Sequence, residues 1–277
     1  MLSDIVSVAA STAAAGRCAA TSMIFFDDFK TADLALLRQE QLAEEISCNH
    51  PRLLFLWRAP RALIVGRSDT RLPHFANAVD RLVAEGWPVL IRRSGGSACP
   101  ISEGTLQIAL ARAVFTATTI DSAYIELANI IRTVLETYGL KVAIRRKSSG
   151  FCPGRHDISV NGRKVAGLSQ HWRQCNGAFT VTTAATMIVE ENPEEIAHIL
   201  NLFYRIAGSA ERCSTFAVGA LRQDLPVDAT FDAPLMEDLC NRIAQAACGE
   251  WRNDPRRISA PHSPLRVACH KTLDPDH

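Results

Sequence analysis

Three features of the sequence predict an α/β fold that ends in a small helical segment. Strand-like and helix-like stretches alternate between residues 23 and 190, an Asn161-Gly162 pair separates two short segments of alternating polarity, and after Glu190 the remaining periodicity is helical. Met23-Ile24-Phe25-Phe26 reads as a first strand. Leu34, Leu37, Leu42 and Ile46 then recur at roughly helical spacing among Glu, Gln and Arg, which predicts an amphipathic helix over residues 31–46. Residues 53–58 and 62–66 are apolar runs split by an Ala59-Pro60-Arg61 turn, hence two strands. Residues 75–85 form a helix ended by Gly86, and residues 88–92 a strand that runs into a glycine loop. A long strand is expected over 105–115, followed by a helix over 120–138 with Asp121 or Ser122 near its start and Gly139 as its C-terminal cap. Residues 141–145, 179–182 and 186–189 are strand-like. Beyond them, residues 193–204 place Ile196, Ile199, Leu200 and Phe203 on one helical face, and residues 234–247 place Leu235, Leu239, Ile243 and Ala246 on another.

These patterns divide the chain into a leader or over-long start at 1–22, a main domain at 23–190, a helical segment at 191–248 and a basic, proline-rich tail at 249–277 expected to be poorly ordered. With 30 basic against 29 acidic residues and 6% aromatics, nothing suggests a nucleic-acid partner. Nine cysteines, an odd number without CxxC pairs, indicate neither a disulfide framework nor a zinc site. They read as reduced thiols of a cytoplasmic protein. No run approaches the ~18 apolar residues that a membrane span requires.

The densest information lies in SSGFCPGRHDISVNGRKVAGLSQHWR, residues 148–173, where Cys152 and Lys164 flank a hairpin. Asn-Gly favours a two-residue turn with both central φ angles positive. The register this implies sets Val160 opposite Arg163, Ser159 opposite Lys164 and Asp157 opposite Ala166. Ile158, Val160 and Val165 then share a core face, and Asp157, Ser159 and Lys164 share the other. Cys152-Pro153-Gly154 is a turn able to fold the thiol back over the lysine. A free cysteine is most often inert core filler, but Arg155, His156 and Lys164 surround this one with positive charge that favours thiolate. His156 and His171 read equally well as solvated imidazoles. The run Arg145-Arg146-Lys147 reads first as a solvated strand end and second as a contact for an acidic partner domain.

Arg92-Arg93-Ser94-Gly95-Gly96-Ser97-Ala98 follows a strand, and its glycines could bring main-chain N–H groups close to an anion or a carbonyl. Alone it reads as a plain surface loop. It is neither a P-loop nor a GxGxxG fingerprint.

Together, RRSGGSA and GFCPGRHDISVNGRKVAGLSQ resemble the biotin/lipoate protein ligase superfamily, of the lipoate-protein ligase A/B type. Within it they are most similar to the cysteine-dependent octanoyltransferases of the lipoate pathway. Phe151 stands for that group's usual tyrosine, and Gly167 and Gln170 fall where its pattern has them. The resemblance spans roughly residues 23–245, including Gly208-Ser209-Ala210-Glu211. It implies a mixed, largely antiparallel sheet flanked by helices. It also implies acyl transfer with Cys152 as nucleophile and Lys164 on the acyl carbonyl, and acyl-substrate contacts at Arg93, Ser94, Gly95, Gly96, Asp157 and Gly167. The implied partners are an octanoyl or lipoyl donor and lipoyl carrier domains, namely the glycine cleavage H protein and 2-oxoacid dehydrogenase E2 subunits. Neither metal nor other cofactor is implied. An ATP- and Mg²⁺-dependent ligase is the alternative, weakened because Ser102-Glu103 and Gln107 stand where ligases carry His-Asp and Asn. A non-catalytic domain that binds lipoyl carriers is a second alternative.

Overall fold

The computed structural model describes residues 23–47, 50–115, 117–146, 149–175, 178–226, 233–253 and 268–270, so the expectation for 1–22, Lys147 and most of the tail expected at 249–277 lie outside them. The chain opens with β1 (Met23–Asp28), α1 (Ala32–Glu45) and β2 (Arg52–Arg58), and the intervening helix makes the two strands parallel. After the Ala59-Pro60-Arg61 corner, β3 (Ala62–Val65) leaves this sheet. It pairs in parallel with β4 (Val89–Ile91), from which α2 (Phe75–Ala84) separates it, and antiparallel with β5 (Cys99–Ile101), building a second, three-stranded sheet.

β6 (Thr105–Ala113) returns to the main sheet, antiparallel to β2. α3 (Ile120–Thr137) has Asp121 and Ser122 in its first turn as expected, and is capped by Thr119, whose hydroxyl accepts the Ser122 N–H while Ser122 Oγ accepts the Thr119 N–H. β7 (Val142–Ile144), β8 (Ile158–Val160), β9 (Arg163–Cys175) and β10 (Ala178–Ile188) are successive antiparallel neighbours. α4 (Pro193–Ala207) has an Asn192 cap, Pro193 in its first turn and Gly208 at φ 82° as its left-handed stop. A single-turn α5 (Leu221–Asp224) and a long α6 (Leu235–Asn253) follow. The tail expected after Gly249 therefore begins with the end of α6, and β11 (Ala268–His270) runs parallel to β1 at the sheet margin.

The main sheet has the order β11-β1-β2-β6-β10-β9-β8-β7, mixed and largely antiparallel with helices on its faces, as the resemblance implies. The run Leu53-Leu54-Phe55-Leu56-Trp57 has no polar alternation because β2 is buried on both sides. Leu54 and Leu56 join Ile108, Leu110, Leu168 and Met187 beneath α3 and α6. Leu53, Phe55 and Trp57 face α1 together with Ile64 and Ile101 of the small sheet. A third cluster seats α2 and α4 on the small sheet and includes Phe151. The stretches 179–182 and 186–189 prove to be parts of the single strand β10, and β5 carries no strand pattern in the sequence because it is a three-residue strand containing Pro100.

Two details of β8 and β9 prepare the site. Asn161 (φ 48°) and Gly162 (φ 78°) form the expected turn, and Ser159 faces Lys164. A bulge then intervenes, so Ala166 pairs with Ile158 and not with Asp157 as the uninterrupted register would have it. β8 also has only three residues against thirteen in β9, which leaves a notch in the sheet beyond Ala166. Two loops converge there, and the Gly95 N–H donates to Gln170 O at 3.4 Å.

Because Gly162 needs a positive φ, Gly162→Ala should lower unfolding free energy by about 1 kcal/mol, read as a shifted urea midpoint at unchanged slope.

Candidate active site

The loop between β7 and β8 is anchored by its interior. Phe151 is buried among the residues of α4 and the small sheet, and Cys152 follows with φ 38°, a left-handed conformation that costs a non-glycine residue about 1 to 2 kcal/mol. Asp157 holds the far side of the turn, both carboxylate oxygens accepting the Gly154 N–H at 3.1 Å. Lys164 locks the arrangement. Its Nζ lies 2.7 Å from Asp157 Oδ1 and donates to Phe151 O at 2.5 Å and Cys152 O at 2.9 Å, with the Phe151 ring centroid 4.3 Å away. Lys164 and Asp157 are 0% exposed, so this is a fully buried ion pair and not the solvent-facing surface an alternating hairpin suggests.

All three ammonium donors are engaged with Phe151, Cys152 and Asp157. In this geometry Lys164 grips the cysteine loop, and its reach to a substrate carbonyl would require giving up one of these bonds. Asp157 meets the site through Lys164. Gly167 belongs here because a Cβ would stand 2.9 Å from Lys164 Nζ and 3.2 Å from the Phe151 ring.

The glycine loop supplies the second cation. Arg92 is only 7% exposed, and its guanidinium donates to Ile64 O (3.0 Å), Gly95 O (3.1 and 3.2 Å) and Ser97 O (2.6 Å) while Nη2 stands 3.6 Å from Cys152 Sγ. Gly96, at φ 97°, permits this approach, since a Cβ there would lie 2.6 Å from Cys152 Sγ and 2.8 Å from Arg92 Nη2. Arg93, the arginine the resemblance places at the acyl site, turns outward to Glu40, with Nε 3.0 Å from its carboxylate. Successive side chains leave an extended backbone on opposite sides, so only one of the two arginines can face the thiol. Arg155 and His156 are likewise directed elsewhere. Both meet Asp121, at 4.0 and 3.2 Å, and His156 stacks on Tyr124.

Cys152 opens into a cleft of about 480 Å³, mouth included, between the main sheet, the small sheet and α1. Leu36, Trp57, Ile64, Leu168 and Ala185 make its wall apolar, while Ser94 and Ser169, joined by a 3.1 Å hydrogen bond, and Gln107 add polar points. Gln107 is held by Thr105 and Thr186. Ser102 is bonded to Glu191 and does not line the cleft. Arg93, Ser94, Glu40 and His171 border an adjoining recess of about 340 Å³, where burial pushes the His171 imidazole below its ordinary value. Cys99 also borders the main cleft, but burial pushes its thiol up to about 11 and does the same to Cys213. Among the described residues there is no group of three or more side chains able to hold a metal ion and no helix long and apolar enough to cross a membrane.

Comparisons with known proteins place the chain in a family. The family model of the lipoyl protein ligase A/B catalytic domain matches residues 32–245. Proteins named octanoyl-[GcvH]:protein N-octanoyltransferase are similar in sequence. The one from Bacillus velezensis is 32% identical over 155 residues, 54% of this chain and 52% of its own. That from Staphylococcus aureus is 31% identical over 173 residues, covering 62% and 60%. The chain thus spans a little over half the length of these curated relatives. A solved lipoate-protein ligase A bound with ATP superposes with a TM-score of 0.64 over 83% of this chain and 85% of its own at 15% identity, a likeness of fold.

Removing Lys164 strands a buried carboxylate. Lys164→Met should cost about 3 to 5 kcal/mol, whereas Lys164→Met combined with Asp157→Leu should recover most of the stability but not transfer activity, because the Phe151 and Cys152 carbonyls still lack their donor. Thermal and urea unfolding beside a transfer assay test this; equal recovery of both would reduce the pair to a packing element. A second expectation concerns thiols. Of the five cysteines Cys99, Cys152, Cys213, Cys240 and Cys248, brief iodoacetamide treatment near pH 8 should label Cys152, the one that is not buried, and peptide mapping reads the outcome.

Proposed function

Since the chain belongs to the lipoyl protein ligase A/B catalytic domain family, we propose that it moves an octanoyl or lipoyl group between lysines of lipoyl carrier domains through a thioester on Cys152. The observation that carries this reading is the half-buried Cys152 thiol 3.6 Å from the Arg92 guanidinium at the head of an apolar cleft. In the first half-reaction the thiolate attacks the acyl carbonyl of the donor, the C–S bond forms, the donor C–N bond breaks, and the released amine takes up a proton. In the second, the neutral amine of an acceptor lysine attacks the thioester, a C–N bond forms, the C–S bond breaks to return the Cys152 thiolate, and the proton lost by the acceptor nitrogen passes to water. One amide is exchanged for another, so the reaction consumes neither nucleotide nor metal.

Each part of the site has a task in this scheme. The Arg92 guanidinium offsets negative charge on sulfur both before attack and on departure. Lys164 is a positioning residue that holds the Cys152 backbone in its left-handed turn. The apolar wall excludes water from the thioester and accepts the acyl chain. Octanoyl donors are supported by the names of the similar proteins.

The deciding experiment incubates the protein with an octanoylated carrier and an apo lipoyl domain, with and without ATP and Mg²⁺, and follows intact masses. Transfer without ATP, together with a hydroxylamine-labile adduct on Cys152, is expected. An absolute ATP requirement would establish the ligase alternative, and carrier binding without transfer the non-catalytic one. Arg92→Ala should slow adduct formation by about 10²-fold, the scale of losing one preorganised donor to developing charge; an unchanged rate would remove Arg92 from the chemistry.

A further inference from the structure

We propose that the cationic collar of the cysteine loop, Arg145, Arg146 and Arg155, together with the exposed ring of Phe216, is the docking surface for the acceptor carrier domain, which presents an acidic face to it. This rests on the acyl-transfer reading for the identity of the partner.

Residues 137–156, which lead into and through the cysteine loop, contain Lys141, Arg145, Arg146, Lys147 and Arg155 and no acidic residue, although the whole chain is nearly neutral. Arg145 and Arg146 are exposed, and among the described residues neither has an ion-pair partner. The Arg155 side chain is 82% exposed and lies at 4.0 Å from Asp121, whose other oxygen is nearer to His156. A solvated strand end would account for one or two such residues. It does not account for five basic residues and no acidic one across residues 137–156.

Phe216 supplies the apolar element. Its side chain is 90% exposed, on a 3-10 turn at Thr215–Ala217 whose neighbours Ala217 and Val218 are buried. The turn is fastened to both halves of the site: the Ser214 N–H donates to Ser149 O at 2.8 Å, Val218 bridges to Lys164, and the Gly219 N–H donates to Lys164 O at 2.9 Å. An exposed aromatic on a turn tethered to a loop of exposed arginines has the composition of an interface hot spot. The chemistry selects the partner's charge. A loop whose exposed side chains are cationic is complementary to an acidic face and repels a basic one.

The test measures equilibrium binding of an apo lipoyl domain to the Cys152→Ser protein, in which nothing turns over, and separately measures loading of Cys152 from a small octanoyl thioester in the otherwise wild-type protein. Binding should weaken as salt rises from about 50 to 500 mM. The triple variant Arg145→Glu, Arg146→Glu, Arg155→Glu should bind at least about tenfold more weakly and lose most of that salt dependence, and Phe216→Ala should bind several-fold more weakly. Loading from the small thioester should stay within about twofold in all of them. Affinities within about twofold of the parent in both variants, or no binding by the parent, would overturn the docking surface. Failure of the parent to load Cys152 while binding responds as expected would overturn the acyl-transfer reading and leave the surface standing.

Discussion

The buried ion pair between Lys164 and Asp157 is the constraint on which the rest of the site depends. Two fully desolvated charges persist only if every donor and acceptor is used, and here the ammonium is shared among Asp157, Phe151 O and Cys152 O. That requirement explains otherwise separate local features. It explains the bulge that keeps Lys164 facing Asp157 past the hairpin, the absence of a side chain at Gly167, and the left-handed turn at Cys152. A hydrophobic pair would give similar packing but would not hold two backbone carbonyls in place.

The two basic residues of the site divide their work by what they are already bonded to. Lys164 is saturated and acts on backbone, whereas Arg92, with its larger planar fork, organises Gly95 and Ser97 and still places one nitrogen near sulfur. The notch left by the short β8 brings them together, because the cysteine loop and the glycine loop arrive from opposite directions at the uncovered part of β9. The acyl cleft follows from the same architecture. It lies where β3 departs from the main sheet, so its walls are core residues of two sheets and not a surface groove.

Much of this was legible in the residues because the signals were local. The Asn161-Gly162 turn, the meeting of Asp157 with Lys164 and the singling out of Cys152 follow from turn chemistry and strand alternation. What was not legible depends on tertiary context. The bulge changes the register of Asp157 and Ala166 without any glycine to announce it. The pair Arg92-Arg93 states that one arginine faces inward but not which, since that depends on the sheet β4 joins. The strands on either side of Pro60 look like neighbours and belong to different sheets. The charges of Arg155 and His156 looked available to the thiol until α3 brought Asp121 beside them.

The bonds from Ser214 to Ser149 and from Gly219 to Lys164 have a consequence for biosynthesis. Cys152 and Lys164 leave the ribosome well before the segment that fastens them. Until residues 214–219 have been made and docked, the lysine strand lacks its outer neighbour and the cysteine loop one of its tethers. A nascent or truncated chain that ends before residue 214 therefore carries the Cys152 thiol without these two tethers.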